Sequence, residues 1–234
     1  MRVFAFISCD FVDHILASAL SRNYEEFSRS FLYYMYQSEW TTKPVLHLFP
    51  HRNWKQGDNV DVLAYFNSDE VELFLNGKSL GTKRKMGDDL HVTWRVPYGP
   101  GTLKTVSRKN GRVVLTEEVR TAEQPAKIVL IPDRRSVKAD GADLSFVTVK
   151  IVDKNGTLVP RADNLVNFEI SGEGLIAGVD NGSEISYESF KANHRKAFHG
   201  MAVAIIQSKG KPGRIRLQAN SEGLTRSSIV IAAR

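Results

Sequence analysis

The chain has 234 residues, 42% of them hydrophobic and 25% charged, with one cysteine and a net charge of +6. That balance excludes wholesale disorder, the lone Cys9 excludes an intrachain disulfide and a cysteine-based zinc site, and no ~18-residue apolar run marks a membrane-spanning helix. A (β/α)8 barrel needs roughly 250 residues, ~200 at the least, so a chain made mostly of β-sandwich has no room for one.

The first twenty residues, MRVFAFISCDFVDHILASAL, place Arg2 before a short apolar stretch, Val3 to Ile7. The stretch is too short for the core of an export signal, and Asp10, Asp13 and His14 interrupt the residues after it. Phe11, Ile15 and Ala19 fall at helical spacing instead. Residues 22–39 also predict a helix, with Phe27, Phe31, Tyr34, Met35 and Ser38 near one face and Glu25, Glu26 and Arg29 away from it. So aromatic a face needs a covering surface, expected to be the first β-sandwich or a second copy of the chain. Pro44 ends the helical pattern.

From Val45 the period changes to two. Val60, Val62, Ala64 and Phe66 alternate with Asp61, Leu63 and Tyr65. Val71, Leu73 and Leu75 alternate with Glu72 and Phe74, and Val92, Trp94 and Val96 with His91, Thr93 and Arg95. These patterns predict half-buried strands. Asn76-Gly77 and Asn110-Gly111 each separate one such run from the next, and Asn-Gly suits a type I′ hairpin turn because both central residues need positive φ. After a polar joint at Ala122 to Pro125 a second β pattern begins. Val147, Val149 and Ile151 share a face, as do Val166, Phe168 and Ile170, and later Ile215, Leu217 and Ala219. Strands at this spacing with Gly-rich turns predict a second sandwich of about 100 residues.

From Gln124 to Arg234 there are 16 basic and 11 acidic residues, a net +5, leaving +1 for the rest. Nucleic-acid binding would want the basic residues clustered with stacking aromatics. Arg214 and Arg216 instead alternate with Ile215 and Leu217, as on the wet face of a strand. No nucleic-acid partner is expected.

The segments YMYQSEWTTKPVLHLFPHRNW, DEVELFLNGKSLGTK and VPYGPGTLKTVSRKNG resemble the region after the catalytic barrel in glycoside hydrolase family 2, in its bacterial β-galactosidase-like members. ADGADLSFVTVKIVDKNG, NFEISGEGLIAGVDNG and FKANHRKAFHG resemble the last β-sandwich of the same enzymes. The likeness runs from about Tyr33 to Arg234, and residues 1 to about 29 carry none. The resemblance implies a mainly β fold of two immunoglobulin-like antiparallel β-sandwiches in tandem, at 45–121 and 125–234. A helical segment, 1–44, precedes them, and from about Tyr33 it resembles the barrel's last helix. It also implies a parent enzyme, periplasmic or extracellular, that hydrolyses O-glycosyl bonds. The expected partners are the missing catalytic barrel, an oligo- or polysaccharide, and a second copy through the helix. For residues 1–29 a truncated or frame-shifted gene is expected. One departure is Arg52, where many relatives carry a tryptophan within His-Trp-Asn-Trp.

No catalytic residue is expected here. Retaining glycosidases use two carboxyl groups about 5 Å apart, and the family's acid/base Glu follows an Asn, a dipeptide absent from this chain. Glu39 in Ser38-Glu39-Trp40 is expected to be a surface residue of the helix. His47 and His51 have the i, i+4 spacing of a helical zinc pair, but Pro50 argues for extended chain, and His194 and His199 lie in a long connection. Asp153 to Gly156 and Val179 to Gly182 read as turns, the first with its Gly misplaced for a calcium loop. No metal and no cofactor is expected. Sugar contact by an accessory module calls for exposed flat aromatics: Trp54 and Tyr98 are the candidates, Tyr98 the more exposed, while Trp94 belongs to the core. The alternative to an enzyme's accessory region is a stand-alone carbohydrate-binding or adhesive module.

Overall fold

A computed structural model of the chain describes residues 26–234 apart from Arg52, with side chains from Tyr33 onward. The expectations for Phe11, Ile15 and Ala19, for the export signal, and for Phe27 and Phe31 lie outside the described residues. The described chain forms two compact units that divide between Ala122 and Glu123. Each is a β-sandwich, and one helix precedes the first.

The first unit opens with helix α1 (Glu26–Trp40), followed by β1 (Leu46–Phe49), β2 (Asn59–Phe66), β3 (Glu70–Leu75), β4 (Lys78–Lys83), β5 (Val92–Pro97), β6 (Thr102–Lys109) and β7 (Arg112–Arg120). One sheet has the order β1-β2-β5 and the other β4-β3-β6-β7, antiparallel throughout. Val60, Val62, Ala64 and Phe66 of β2 meet Val71, Leu73 and Leu103 of the facing sheet, with Val92, Trp94 and Val96 beside them. The period-two reading thus gives the inward face of each strand.

In the second half of β2 the other face is buried too, which the alternation does not predict. Leu63 and Tyr65 are covered as fully as their inward neighbours. The cause is α1, which lies against β2. Tyr34 of the helix stacks on His47 of β1, with ring centroids 3.5 Å apart. Phe49 meets both Tyr34 and Tyr65 edge-on, at 6.1 and 6.0 Å. Tyr34, on the aromatic helix face, is therefore covered by the first sandwich, one of the two surfaces its sequence called for. Burial in turn pushes the Tyr65 phenol well above its ordinary range.

Three asparagines bind the chain's turning points through their side chains. Asn67 accepts from Val45 N–H at 2.8 Å and donates to the carbonyls of Thr41 and Lys43, fixing the link from α1 to β1. Asn53 donates to the Ala122 carbonyl at 2.9 Å and accepts from the Ala122 N–H at 3.0 Å. Asn76, in the first Asn-Gly turn, accepts from Thr102 N–H and donates to the Pro100 carbonyl.

The second unit contains β8 (Lys127–Pro132), β9 (Ser136–Val137), β10 (Leu144–Val152), β11 (Leu165–Gly172), β12 (Gly174–Asp180), β13 (His194–Lys196), β14 (Met201–Ser208), β15 (Gly213–Asn220) and β16 (Ser227–Ala233). Its sheets run β12-β14-β10-β8 and β13-β11-β15-β16-β9. Val147, Val149 and Ile151 face Ile215, Leu217 and Ile231 across a core with almost no exposure. One strand departs from the antiparallel expectation: β9 pairs parallel with β16. Pro132, which has no N–H to donate, ends β8 in one sheet. The chain then crosses to the other sheet and runs alongside β16, covering an edge that would otherwise offer unpaired backbone groups.

Candidate functional site

Trp54 and Tyr98 sit on the first sandwich, and neither offers an open ring. Tyr98 is only 9% exposed and belongs to the core cluster. This corrects the expectation that it is the more exposed of the two. The turn signals Pro97 and Gly99 suggested an outward ring, but the inward alternation of Val92, Trp94 and Val96 runs through Pro97 to Tyr98. A hydrogen bond from Tyr98 N–H to the Asp58 carbonyl at 2.7 Å holds it there. Trp54 is half-buried against the same core. Its indole N–H donates to the His51 carbonyl at 2.7 Å, and its ring stacks on that of His51 at 5.3 Å. Trp94 lies in the core, as its alternation requires.

The other sequence-flagged residues have local partners. Glu39 is exposed at the end of α1 and pairs with Lys85. His47 pairs with Glu117 at 3.0 Å beneath Tyr34. His51 Nδ1 accepts from Asn53 N–H, so the two histidines of the i, i+4 pair serve separate contacts on extended chain. His194 lies 3.2 Å from Asn193 Oδ1, and His199 Nδ1 lies 3.2 Å from the Pro160 carbonyl. Among the described residues no cluster of His, Cys, Asp and Glu could hold a metal ion. Asp153 closes its turn from within, accepting from the N–H groups of Glu123, Asn155 and Thr157 at 2.9–3.0 Å. Burial pushes the Asp153 carboxyl upward, but the surrounding backbone N–H groups together hold it below the ordinary range. A pocket of about 340 Å³ beside β11 is lined by Asn164, Leu165, Asn167, Ser221 and Glu222.

The most elaborately built site is one that sequence reading passed over as a tight turn and a long connection. Arg195, on β13, is completely buried and is the largest such side chain among the described residues. Its guanidinium donates to the Glu188 carbonyl at 2.9 Å, to Asn181 Oδ1 at 2.9 Å and to Asp180 Oδ1 at 3.2 Å. Its Nε lies 3.8 Å from the Glu188 carboxylate. All these partners lie at or beyond the end of β12, so Arg195 gathers the 181–193 connection around itself. Val179 N–H donates to the Phe190 carbonyl, Lys191 Nζ to the Ala177 carbonyl and Lys196 N–H to Glu188 Oε1, tying down the second half of the loop, Glu188 to Lys191. From this fixed loop Ile185, Tyr187 and Phe190 project into solvent, Tyr187 fully exposed and Phe190 60% exposed. The signal available in the sequence was the pair Asn181 and Arg195 flanking a loop of alternating large apolar and polar residues.

A second exposed aromatic pair belongs to the other unit. Tyr36 and Trp40, one turn apart on α1, have ring centroids 4.5 Å apart, and Trp40 is 79% exposed.

Comparison with known proteins gives the family of the two sandwiches. Residues 128–230 match the family described as glycoside hydrolase family 2 C-terminal domain 5, and residues 57–115 match a domain of unknown function, DUF4982. The β-galactosidase BoGH2A of Bacteroides ovatus is 56% identical over 203 residues, covering 86% of this chain and 24% of that protein. A β-galactosidase of Thermoanaerobacter pseudethanolicus is 28% identical, over 79% of this chain and 25% of its own length. Among solved structures, a β-glycosidase from Bacteroides vulgatus superposes with a TM-score of 0.83 at 35% identity, over 87% of this chain and 26% of that one. The chain belongs with the C-terminal domains of β-galactosidase-like members of glycoside hydrolase family 2, and it spans about a quarter of the length of these relatives.

Proposed function

We propose that the chain serves as the accessory β-sandwich region of a β-galactosidase-like hydrolase, packing against a catalytic barrel and contributing no carboxylate to bond cleavage. The observation that carries this reading is the end of α1. Tyr34 of the helix is seated on β1, yet Tyr36 and Trp40 remain exposed on a segment that resembles the last helix of the family's barrel. Leaving such rings in water costs ~25 cal/mol per Å² of apolar surface, and a neighbouring barrel would remove that cost. Hydrolysis of O-glycosyl bonds then belongs to the intact enzyme. Glu39, paired with Lys85, has a structural role.

Two measurements test this. The purified chain should not hydrolyse aryl β-galactosides; hydrolysis that survives purification and disappears in Glu39→Gln would overturn the reading. Residues 33–234 should also replace the corresponding C-terminal region of the Bacteroides ovatus relative and give a soluble chimera active on the same aryl substrate. An insoluble or inactive chimera would count against a shared accessory role.

A further inference from the structure

The loop 181–193 presents two flat rings, Tyr187 and Phe190, three residues apart and open to solvent. Polar side chains alternate with them: Ser186, Glu188, Ser189 and Lys191. From this arrangement we propose that the loop is a binding site for a neutral β-linked oligosaccharide, with Tyr187 and Phe190 as its stacking platforms. The choice of a glycan as ligand rests on the accessory-domain reading above.

A pyranose ring has one face of C–H groups and a rim of hydroxyls. It is held by a flat aromatic surface with hydrogen-bonding groups beside it, and the alternating loop supplies both. Tyrosine gives such contact area with only two side-chain torsions to immobilise. The Phe190 half of the platform is also prepared before any ligand arrives. The Arg195 guanidinium carbon lies 5.3 Å from the centroid of the Phe190 ring, so a buried cation supports one side of a ring that stays mostly exposed. The same guanidinium holds Glu188 and Asn181 at 2.9 Å. A loop fixed in this way loses little freedom on binding, which is how rigid sites gain affinity. Both charge signs occur on the loop, in Glu184, Glu188 and Lys191, and the Arg195 charge is already met by Asp180 and Glu188. Two loop carboxylates, Glu184 and Glu188, stand against the one loop lysine, so the loop's charge does not select an acidic sugar. Along the chain Ile185, Tyr187 and Phe190 are interleaved with Ser186, Glu188 and Ser189, a mixture that suits a hydroxyl-rich ligand better than the apolar centre of a protein interface.

Native electrophoresis of the full chain through gels containing soluble β-1,4-galactan or β-1,4-glucan tests the proposal, with calorimetric titration of β-1,4-linked galactose oligomers for affinity. The wild type should be retarded. Tyr187→Ala and Phe190→Ala should each weaken binding at least tenfold, while Trp40→Ala, at the other exposed pair, should leave it unchanged. Arg195→Lys should weaken binding with both rings still in place. No retardation by either polysaccharide overturns the proposal, as does equal retardation of the Tyr187→Ala/Phe190→Ala variant. So does a wild-type dimer that becomes monomeric in that double variant without any glycan retardation, for the loop would then be a self-contact. The chimera's activity on a small aryl galactoside does not depend on Tyr187. An active chimera without glycan binding removes the site alone, and ring-dependent retardation beside an inactive chimera removes the accessory role alone.

Discussion

Arg195 and Asp153 show how single polar residues fix local structure inside an apolar sandwich. Removing one partner from a buried charge cluster is costly, because the groups left behind stay desolvated. Arg195→Met keeps the stem but strips the donors from Asn181, Asp180 and the Glu188 carbonyl. Asp180 and Glu188 are partly open to water, which softens the loss, so we expect a destabilisation of about 2–4 kcal/mol in urea unfolding. Asp153 works through its depressed titration. Its folded pKa lies below the ordinary value of 3.8, so the proton is bound more weakly in the folded chain than in the unfolded one. The stability this confers is present at neutral pH and is lost as pH falls below that ordinary value and through the depressed one. Asp153→Asn should therefore cost about 1–3 kcal/mol at pH 7 and flatten the acid limb of a stability-against-pH curve. An acid limb as steep as the wild type's would assign the loss to other carboxylates. His91 adds an effect of the same sign: burial lowers its pKa, and nearby Asp89 raises it less.

The two Asn-Gly hairpins look alike in sequence and differ in what they hold. Asn76 and Asn110 both have φ of 50°, followed by glycines at 82° and 72°. At Asn110 the supporting bond is its backbone N–H to Asp69, and that bond survives replacement of the side chain. At Asn76 the side chain spans to Pro100 and Thr102, and a Cβ at Gly101 would overlap it. Asn76→Gly should thus cost about 1 kcal/mol or more beyond Asn110→Gly, read from thermal melts; equal costs would mean that the turn backbone alone matters. The strands themselves were legible because alternation reports which face is inward, and Tyr98 shows that it does so even past a proline. Non-local clasps are not encoded by spacing. Nothing in the local sequence at Asn53 points to Ala122, and nothing at Arg195 points to Asp180. The double burial of β2 was half legible: the helix face announced a need for cover, but not which strand would provide it.

At the level of the whole molecule, each unit has its own core, and residues 123–234 should fold when expressed alone, giving one cooperative melt with β-type circular dichroism. A fragment that stays unfolded would mean that this core depends on the first unit. Within the first unit, protection should be uneven in time. The second half of strand β2 lies between β1 and β5 and is covered on both faces, by the facing sheet and by α1. Strand β4 lies at a sheet edge with nearly every side chain in solvent. Backbone amides of β4 should take up deuterium through small local openings, whereas those in the middle of β2 should wait for the entire unit to unfold. The helix thus acts as a clock as well as a cover: while Tyr34 stays seated on His47, the centre of the sheet can exchange only as fast as the whole sandwich comes apart.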